Sequence, residues 1–260
     1  MQQYSAKSGM SKTDESADRR LSSCSGRLLG KLRRTARRWP VLPEGEDVLL
    51  AVSGGIDSLA MVYLVCEHNQ RLERPMKISA AHVCLDADGH TSELPDPTSR
   101  WLQARGLEVF EVEGRLDGSE EPPLDCFACA RARRRTLLET AEARGASSVA
   151  LGHHADDVVE TWLLSLMYTG KADAISPIRS YFAGAVTIVR PLYALQRREL
   201  VRLGRLAGFP EPVACCRRED EARRERIRKA LSALGRDQTR VRRQLYWAAV
   251  RQYEDSEEDC

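Results

Sequence analysis

Ser53-Gly54-Gly55-Ile56-Asp57-Ser58 joins an apolar strand-like run, Val48–Val52, to a helix-like segment that runs from Asp57 to about His68. Two adjacent glycines let successive backbone N–H groups face one concavity, and the following helix N-terminus adds positive potential, so the segment suits a phosphate group. The hydroxyls of Ser53 and Ser58 can donate further hydrogen bonds to phosphate oxygens. Asp57 is anionic and suits holding the loop or a Mg²⁺ ion. The string GxxxxGK[ST] is absent, so this is not a Walker loop. An ordinary Gly-Gly turn with a capping Ser or Asp is the plain alternative.

Two further groups carry chemistry. Cys126-Phe127-Ala128-Cys129 opens a helix-like stretch whose next residues are strongly basic, Arg131 to Arg135. A helix N-terminus and neighbouring cations both favour thiolates, as metal or sulfur chemistry requires. Two thiolates do not close a metal site. Cys24 and Cys260 fall in expected tails and Cys66 and Cys84 in core elements, which leaves Cys215 and Cys216. Three thiolates on a four-iron cluster, a zinc site using both later cysteines, and a metal-free redox pair all remain open. Gly152-His153-His154-Ala155-Asp156-Asp157 follows another strand-like run, Ser148–Leu151. His153, Asp156 and Asp157 there suit metal or proton handling, and an Asp-capped helix start is the plain alternative.

These groups need a scaffold. Strand-like runs at 48–52, 78–85, 108–112 and 148–151 alternate with helical segments at 57–68, 99–105, 129–144 and 156–168. Regular alternation of this kind predicts an α/β fold, a parallel sheet with helices on both faces, whose ligands sit beyond the carboxyl ends of the strands. A basic helix from Leu28 to Trp39 precedes the body, and Arg-rich helices over 197–207 and 219–251 follow it. The domain reading is a disordered tail over 1–26, an α/β domain over 27–196, a basic helical region over 197–253 and an acidic tail over 254–260.

With 42% hydrophobic and 30% charged residues, the chain is too apolar to be wholly disordered and lacks the long apolar run of a membrane span. A soluble cytoplasmic protein is expected. Its eight cysteines are too sparse for a secreted disulfide scaffold. The net charge of +2 conceals segregation: residues 19–38 hold eight basic and no acidic groups, and residues 197–251 hold sixteen basic against seven acidic. Basic arms around an acidic body favour a polyanionic partner.

The motif AVSGGIDS resembles the PP-loop ATP pyrophosphatases, which cleave ATP between its α and β phosphates and so adenylate an oxygen. LDAD (85–88), CFACARARRRTLLETA, LGHHADDVVET, YTGK (168–171) and VRPL (189–192) extend the resemblance to the tRNA 2-thiocytidine synthetase family and related tRNA thiolases. It implies a fold of the adenine-nucleotide α-hydrolase type, ATP on Ser53, Gly54, Gly55, Ile56, Asp57 and Ser58, and Mg²⁺. It also implies a [4Fe–4S] cluster on Cys126, Cys129 and either Cys215 or Cys216, Cys215 being slightly preferred. The family's later Cys-x-x-Cys is replaced here by adjacent cysteines.

The implied activity is ATP-dependent replacement of a cytosine carbonyl oxygen in a tRNA anticodon loop by sulfur. Asp57, His153, Asp156, Asp157 and Lys171 are the expected catalytic residues, Lys171 stabilising charge on the phosphate. The expected partners are tRNA, a sulfur donor such as a cysteine desulfurase or sulfide, and, as one candidate, a second copy of the chain. Two rival readings are sulfur insertion into a free nucleobase or small metabolite, and a redox-sensing nucleotide- or RNA-binding protein.

Overall fold

In the computed structural model, residues 12–85, 93–114, 126–211 and 219–258 are described. Strands β1 (Asp47–Ala51), β2 (Lys77–Cys84), β3 (Glu108–Glu113) and β4 (Ser148–Ala150) alternate with helices α2 (Ile56–Asn69), α3 (Asp96–Gln103) and α4 (Cys126–Ala143). Helix α1 (Lys12–Arg38) precedes them. Helix α5 (Ala155–Thr169), strands β5 (Ile178–Tyr181) and β6 (Val186–Val189), and helices α6 (Arg197–Ala207), α7 (Glu219–Ala233) and α8 (Gln238–Glu258) follow.

The sheet order is β3-β2-β1-β4-β6-β5. Every neighbouring pair is parallel except β5 with β6. The chain leaves β1 outward through β2 and β3, then returns to the other side of β1 with β4. Strand order therefore reverses between β1 and β4, which opens a crevice at their carboxyl ends. Val48, Leu49 and Leu50 on β1 and Val149 on β4 are all but fully buried, as expected for strands covered on both faces. Leu49, Val83, Leu138 and Ile188 belong to the core beneath α4, while Leu50, Leu59, Leu64 and Val158 belong to the larger core on the opposite face.

The structure corrects the expected tail over 1–26. Residues 12–26 lie in α1, because Leu21, Cys24, Leu28 and Leu32 recur at helical spacing and form one apolar stripe. Leu28 and Leu32 are completely buried and Cys24 is buried. Each leucine contributes about 1.5–3 kcal/mol by burial. Residues 1–11 lie outside the described residues. The expected acidic tail over 254–260 is also corrected: α8 continues to Glu258, and Glu254 receives two hydrogen bonds from the Arg38 guanidinium at 2.9 and 2.6 Å.

Nor do the basic helices form a region apart from the α/β body. Leu200, Leu203, Ile227, Leu231, Tyr246 and Val250 share a core with Leu28 and Leu59. The stretch 219–251 is two helices, since the chain turns at Gly235 with φ +58. The β5–β6 hairpin was not expected from the sequence.

Candidate functional site

The phosphate loop sits at the carboxyl end of β1, in the crevice. Gly54 has φ +79, a backbone conformation that L side chains rarely adopt, and this reverses the chain so that Gly55 becomes the N-cap of α2. The serines brace the loop. Ser58 Oγ donates to Gly55 O at 2.8 Å, the Ser53 and Ser58 hydroxyls lie 3.3 Å apart, and Gly55 N–H donates to Ser53 Oγ at 3.3 Å. Ile56 contributes backbone only: its side chain packs against Gly204 of α6, where a Cβ would stand 3.0 Å from Ile56 Cδ1.

A second loop closes against the first. A Cβ at Gly152 would lie 3.1 Å from Asp57 C and O and 3.1 Å from Ser58 N, so any other residue would press the β4–α5 turn a few tenths of an ångström away from the first turn of α2. His154, 2% exposed, then caps α5. Its Nδ1 accepts from Asp157 N–H at 3.3 Å, and Asp157 Oδ2 accepts from His154 N–H at 2.9 Å. With Nδ1 accepting, the ring proton sits on Nε2, which lies 3.5 Å from Asp57 Oδ1. Burial works to lower the His154 pKa, but the hydrogen bond to Asp57 and the Asp157, Asp57 and Asp156 carboxylates outweigh it and raise it. His154 was missed in the sequence because a buried cap and an exposed histidine pair read alike.

The expected catalytic residues separate into different roles. Asp57 Oδ1 is buried with only the long 3.5 Å contact from His154 Nε2, and Oδ2 lies 3.9 Å from Arg197 Nε. An under-satisfied carboxylate oxygen beside two loop hydroxyls fits a small hard cation, and Mg²⁺ is held by one or two carboxylates plus substrate phosphates. Asp156 and Asp157, expected to handle metal or protons, both take part in hydrogen bonds within the protein. Asp156 accepts on both oxygens, Oδ2 from Arg197 N–H at 2.8 Å at the start of α6 and Oδ1 from Arg242 Nη1 at 3.1 Å. Asp157 serves the capping box.

His153 Nδ1 accepts from Arg190 Nε at 3.2 Å. Burial, followed by the charges of Arg190, His154, Arg224 and Arg134, pushes the His153 pKa down to about 3. The ring is therefore neutral and offers Nε2–H as a donor. Arg190 is 6% exposed and also donates to Ser176 O at 2.7 Å; the VRPL segment was its signal in the sequence.

Lys171 lies outside the cluster around the phosphate loop. It follows the far end of α5, whose 15 residues span about 22 Å from the His154 cap, and it is exposed. Sequence closeness to the His-His-Asp-Asp turn hid the length of helix between them.

Cys126 is the first residue of α4 and Cys129 lies one turn on, buried at 8% exposure. Because α4 connects two parallel strands, it runs opposite to them, so its N-terminal turn lies at the same carboxyl edge as the phosphate loop. The thiols of Cys66 and Cys84 are both pushed up to about 11, chiefly by burial, which keeps them protonated and unfit as ligands. Cys215 and Cys216 lie outside the described residues. Among the described residues, no three His, Cys, Asp or Glu side chains converge as a metal site. The donor chemistry at the start of α4 fits a thiolate-bound metal group, with the remaining ligand supplied from elsewhere. No helix among the described residues is long and apolar enough to cross a membrane.

Comparison with known proteins agrees with this geometry. The PP-loop domain family model matches residues 30–234. The tRNA-cytidine(32) 2-sulfurtransferase of Geobacter metallireducens is 30% identical over 223 residues, covering 82% of this chain and 84% of that protein. Its namesake in Citrifermentans bemidjiense is 28% identical over 229 residues, covering 85% and 89%. Among solved structures, the U34-tRNA thiolase NcsA from Methanococcus maripaludis with its [4Fe-4S] cluster superposes with a TM-score of 0.64 at 20% identity. That match covers 91% of this chain and 80% of NcsA, and it shows the shared fold. A phosphate loop without a Walker lysine, a glycine-seated His-His-Asp-Asp turn and these matches place the chain in the PP-loop family, alongside the tRNA-cytidine 2-sulfurtransferases.

Proposed function

We propose that the protein is an ATP-dependent tRNA thiolase, acting in the cytoplasm, that replaces the 2-carbonyl oxygen of an anticodon-loop cytosine with sulfur. The observation that carries this reading is that the phosphate loop, the turn seated on it at Gly152, and the cysteine-bearing end of α4 occupy one edge of the sheet. The similarity to named tRNA-cytidine(32) 2-sulfurtransferases supports the substrate.

ATP binds with its phosphates on the backbone N–H groups of the loop and the Ser53 and Ser58 hydroxyls. Asp57, held by His154, would hold Mg²⁺, which would supply positive charge to the phosphates. An unpaired base in a loop presents its edges to the site in a way that a helical base does not. The cytosine O2 attacks the α-phosphate and pyrophosphate leaves, giving an O-adenylated base. Backbone donors and the neutral His153 Nε2–H act on charge gathering at the phosphate, a preorganised arrangement of the kind that dominates phosphoryl chemistry. Sulfide attacks C2, and AMP departs with the former carbonyl oxygen; where a cysteine desulfurase is the donor, its persulfide must first take two electrons from a thiol reductant, which releases the outer sulfur as sulfide. Cys126, Cys129 and Cys215 or Cys216 would hold a [4Fe–4S] cluster, which supplies an open iron position able to bind such sulfur.

Anaerobic purification with iron and sulfide analysis, combined with mass spectrometry of tRNA nucleosides from a deletion strain, tests the reading. Iron with matching sulfide and loss of 2-thiocytidine are expected. An iron-free protein with unchanged thionucleosides would overturn it.

A further inference from the structure

Between α1, α5, α6 and α8 lies a cavity of about 160 Å³ that the phosphate loop does not use. Its deep part is apolar, formed by Ala155 and Val159 of α5, Ala194, and Tyr246 of α8. An apolar cavity of about 150 Å³ takes up one benzene ring, so this one has room for a single aromatic ring. Trp247, 37% exposed, borders it with its ring centroid 5.2 Å from that of Tyr246. The Tyr246 hydroxyl is buried without a hydrogen-bond partner, and native interiors rarely leave such a group unsatisfied.

Cations surround the opening. Lys31 is paired with Glu199 at 2.7 Å and Arg242 with Asp156 at 3.1 Å. Arg243 also borders the cavity, is exposed, and has no ion pair or hydrogen bond among the described residues. A ring-sized slot with an aromatic wall and an uncommitted guanidinium beside it matches the way single-stranded nucleic acid is held, by stacking of a base and neutralisation of its phosphate.

We propose that this cavity takes one unpaired base of the RNA substrate, stacked on Trp247 with its phosphate on Arg243, as a second nucleotide site distinct from the reaction edge. The inference rests on the tRNA reading above. The two sites are joined through one residue: Asp156, in the cavity wall, caps Arg197, whose Nε lies 3.9 Å from Asp57 Oδ2. A base seated here anchors the RNA beside the phosphate loop, on the sheet face opposite α4.

The test uses the full chain and a fluorescein-labelled, unmodified tRNA transcript read by anisotropy across a salt series, with a blunt RNA duplex as control. Trp247→Ala is expected to weaken tRNA binding about 5- to 150-fold with no change in salt slope, as loss of one base stack does. Arg243→Gln is expected to lower the slope of log K against log salt by about 0.7, the value for one phosphate on a single strand. Duplex binding changes little with Trp247→Ala, since a paired base cannot enter. Ala194→Leu fills the cavity and removes no contact, so it is expected to weaken tRNA binding while ATP affinity stays at the wild-type value. Wild-type tRNA affinity in both Trp247→Ala and Ala194→Leu overturns the inference and leaves the thiolase reading intact. Failure of the wild-type protein to bind tRNA at all overturns both.

Discussion

The backbone of Gly152 rests on that of Asp57, so the turn after β4 and the loop after β1 form one unit. A Cβ at 152 would stand 3.1 Å from three backbone atoms that cannot rotate away. Gly152→Ala must therefore push the two loops apart. Overpacking of this kind costs about 1–3 kcal/mol, readable in urea unfolding. ATP affinity is expected to fall as well, because Ser53 and Ser58 lose their relative positions. A variant with wild-type stability and nucleotide affinity would show that the two loops are not coupled.

Asp57→Asn keeps the shape of the side chain and removes its charge. Since Oδ1 makes only the 3.5 Å contact with His154 Nε2, a modest loss of folding stability is expected, and the His154 pKa is expected to fall. Calorimetry with and without Mg²⁺ is expected to show that the metal no longer strengthens ATP binding. If Mg²⁺ strengthens binding in the variant as it does in the wild type, the cation sits elsewhere.

Lys171 stands beyond α5, about 22 Å of helix from the His154 cap, given that helix's 15 residues. Lys171→Ala is therefore expected to leave both ATP affinity and the rate of pyrophosphate release unchanged at saturating tRNA. A slowed single-turnover adenylation step in this variant would return the residue to the phosphates.

Cys84 offers a pH test. Its Sγ lies 3.5 Å from Glu111 Oε2, and burial together with that carboxylate pushes the thiol up to about 11. Because only the thiolate is nucleophilic, iodoacetamide labelling of Cys84 is expected to be slow at pH 8 and to rise with a midpoint near 11. Glu111→Gln removes the repelling charge and is expected to move the midpoint down. Peptide mass spectrometry follows the site, and rapid labelling of Cys84 at neutral pH would refute the assignment.

Much of the architecture is legible in the order of residues alone. Short apolar runs alternating with helical segments specify parallel strands, and the strand–glycine–helix string at 48–58 specifies a phosphate loop, because both are local consequences of side-chain pattern and backbone freedom. The boundaries of α6 agree with the expected 197–207. The β5–β6 hairpin is less legible. Its strands have four residues each, β5 lies at the sheet edge, and its middle residues Arg179 and Ser180 are exposed, so no clear alternation marks it.

The sequence by itself determined which chemistry is present: phosphate-binding glycines and serines, a cysteine pair at a helix start, a histidine-aspartate turn and basic helices. Only the tertiary structure decided how the work is divided. It gave His154 to Asp57, engaged Asp156 and Asp157 as helix caps, neutralised His153 against Arg190, and left Lys171 at the far end of its helix. The physical reason is that a side chain's identity states what it can bond, whereas its partners come from segments far apart in the chain, brought together only when the sheet and its covering helices bury their apolar faces.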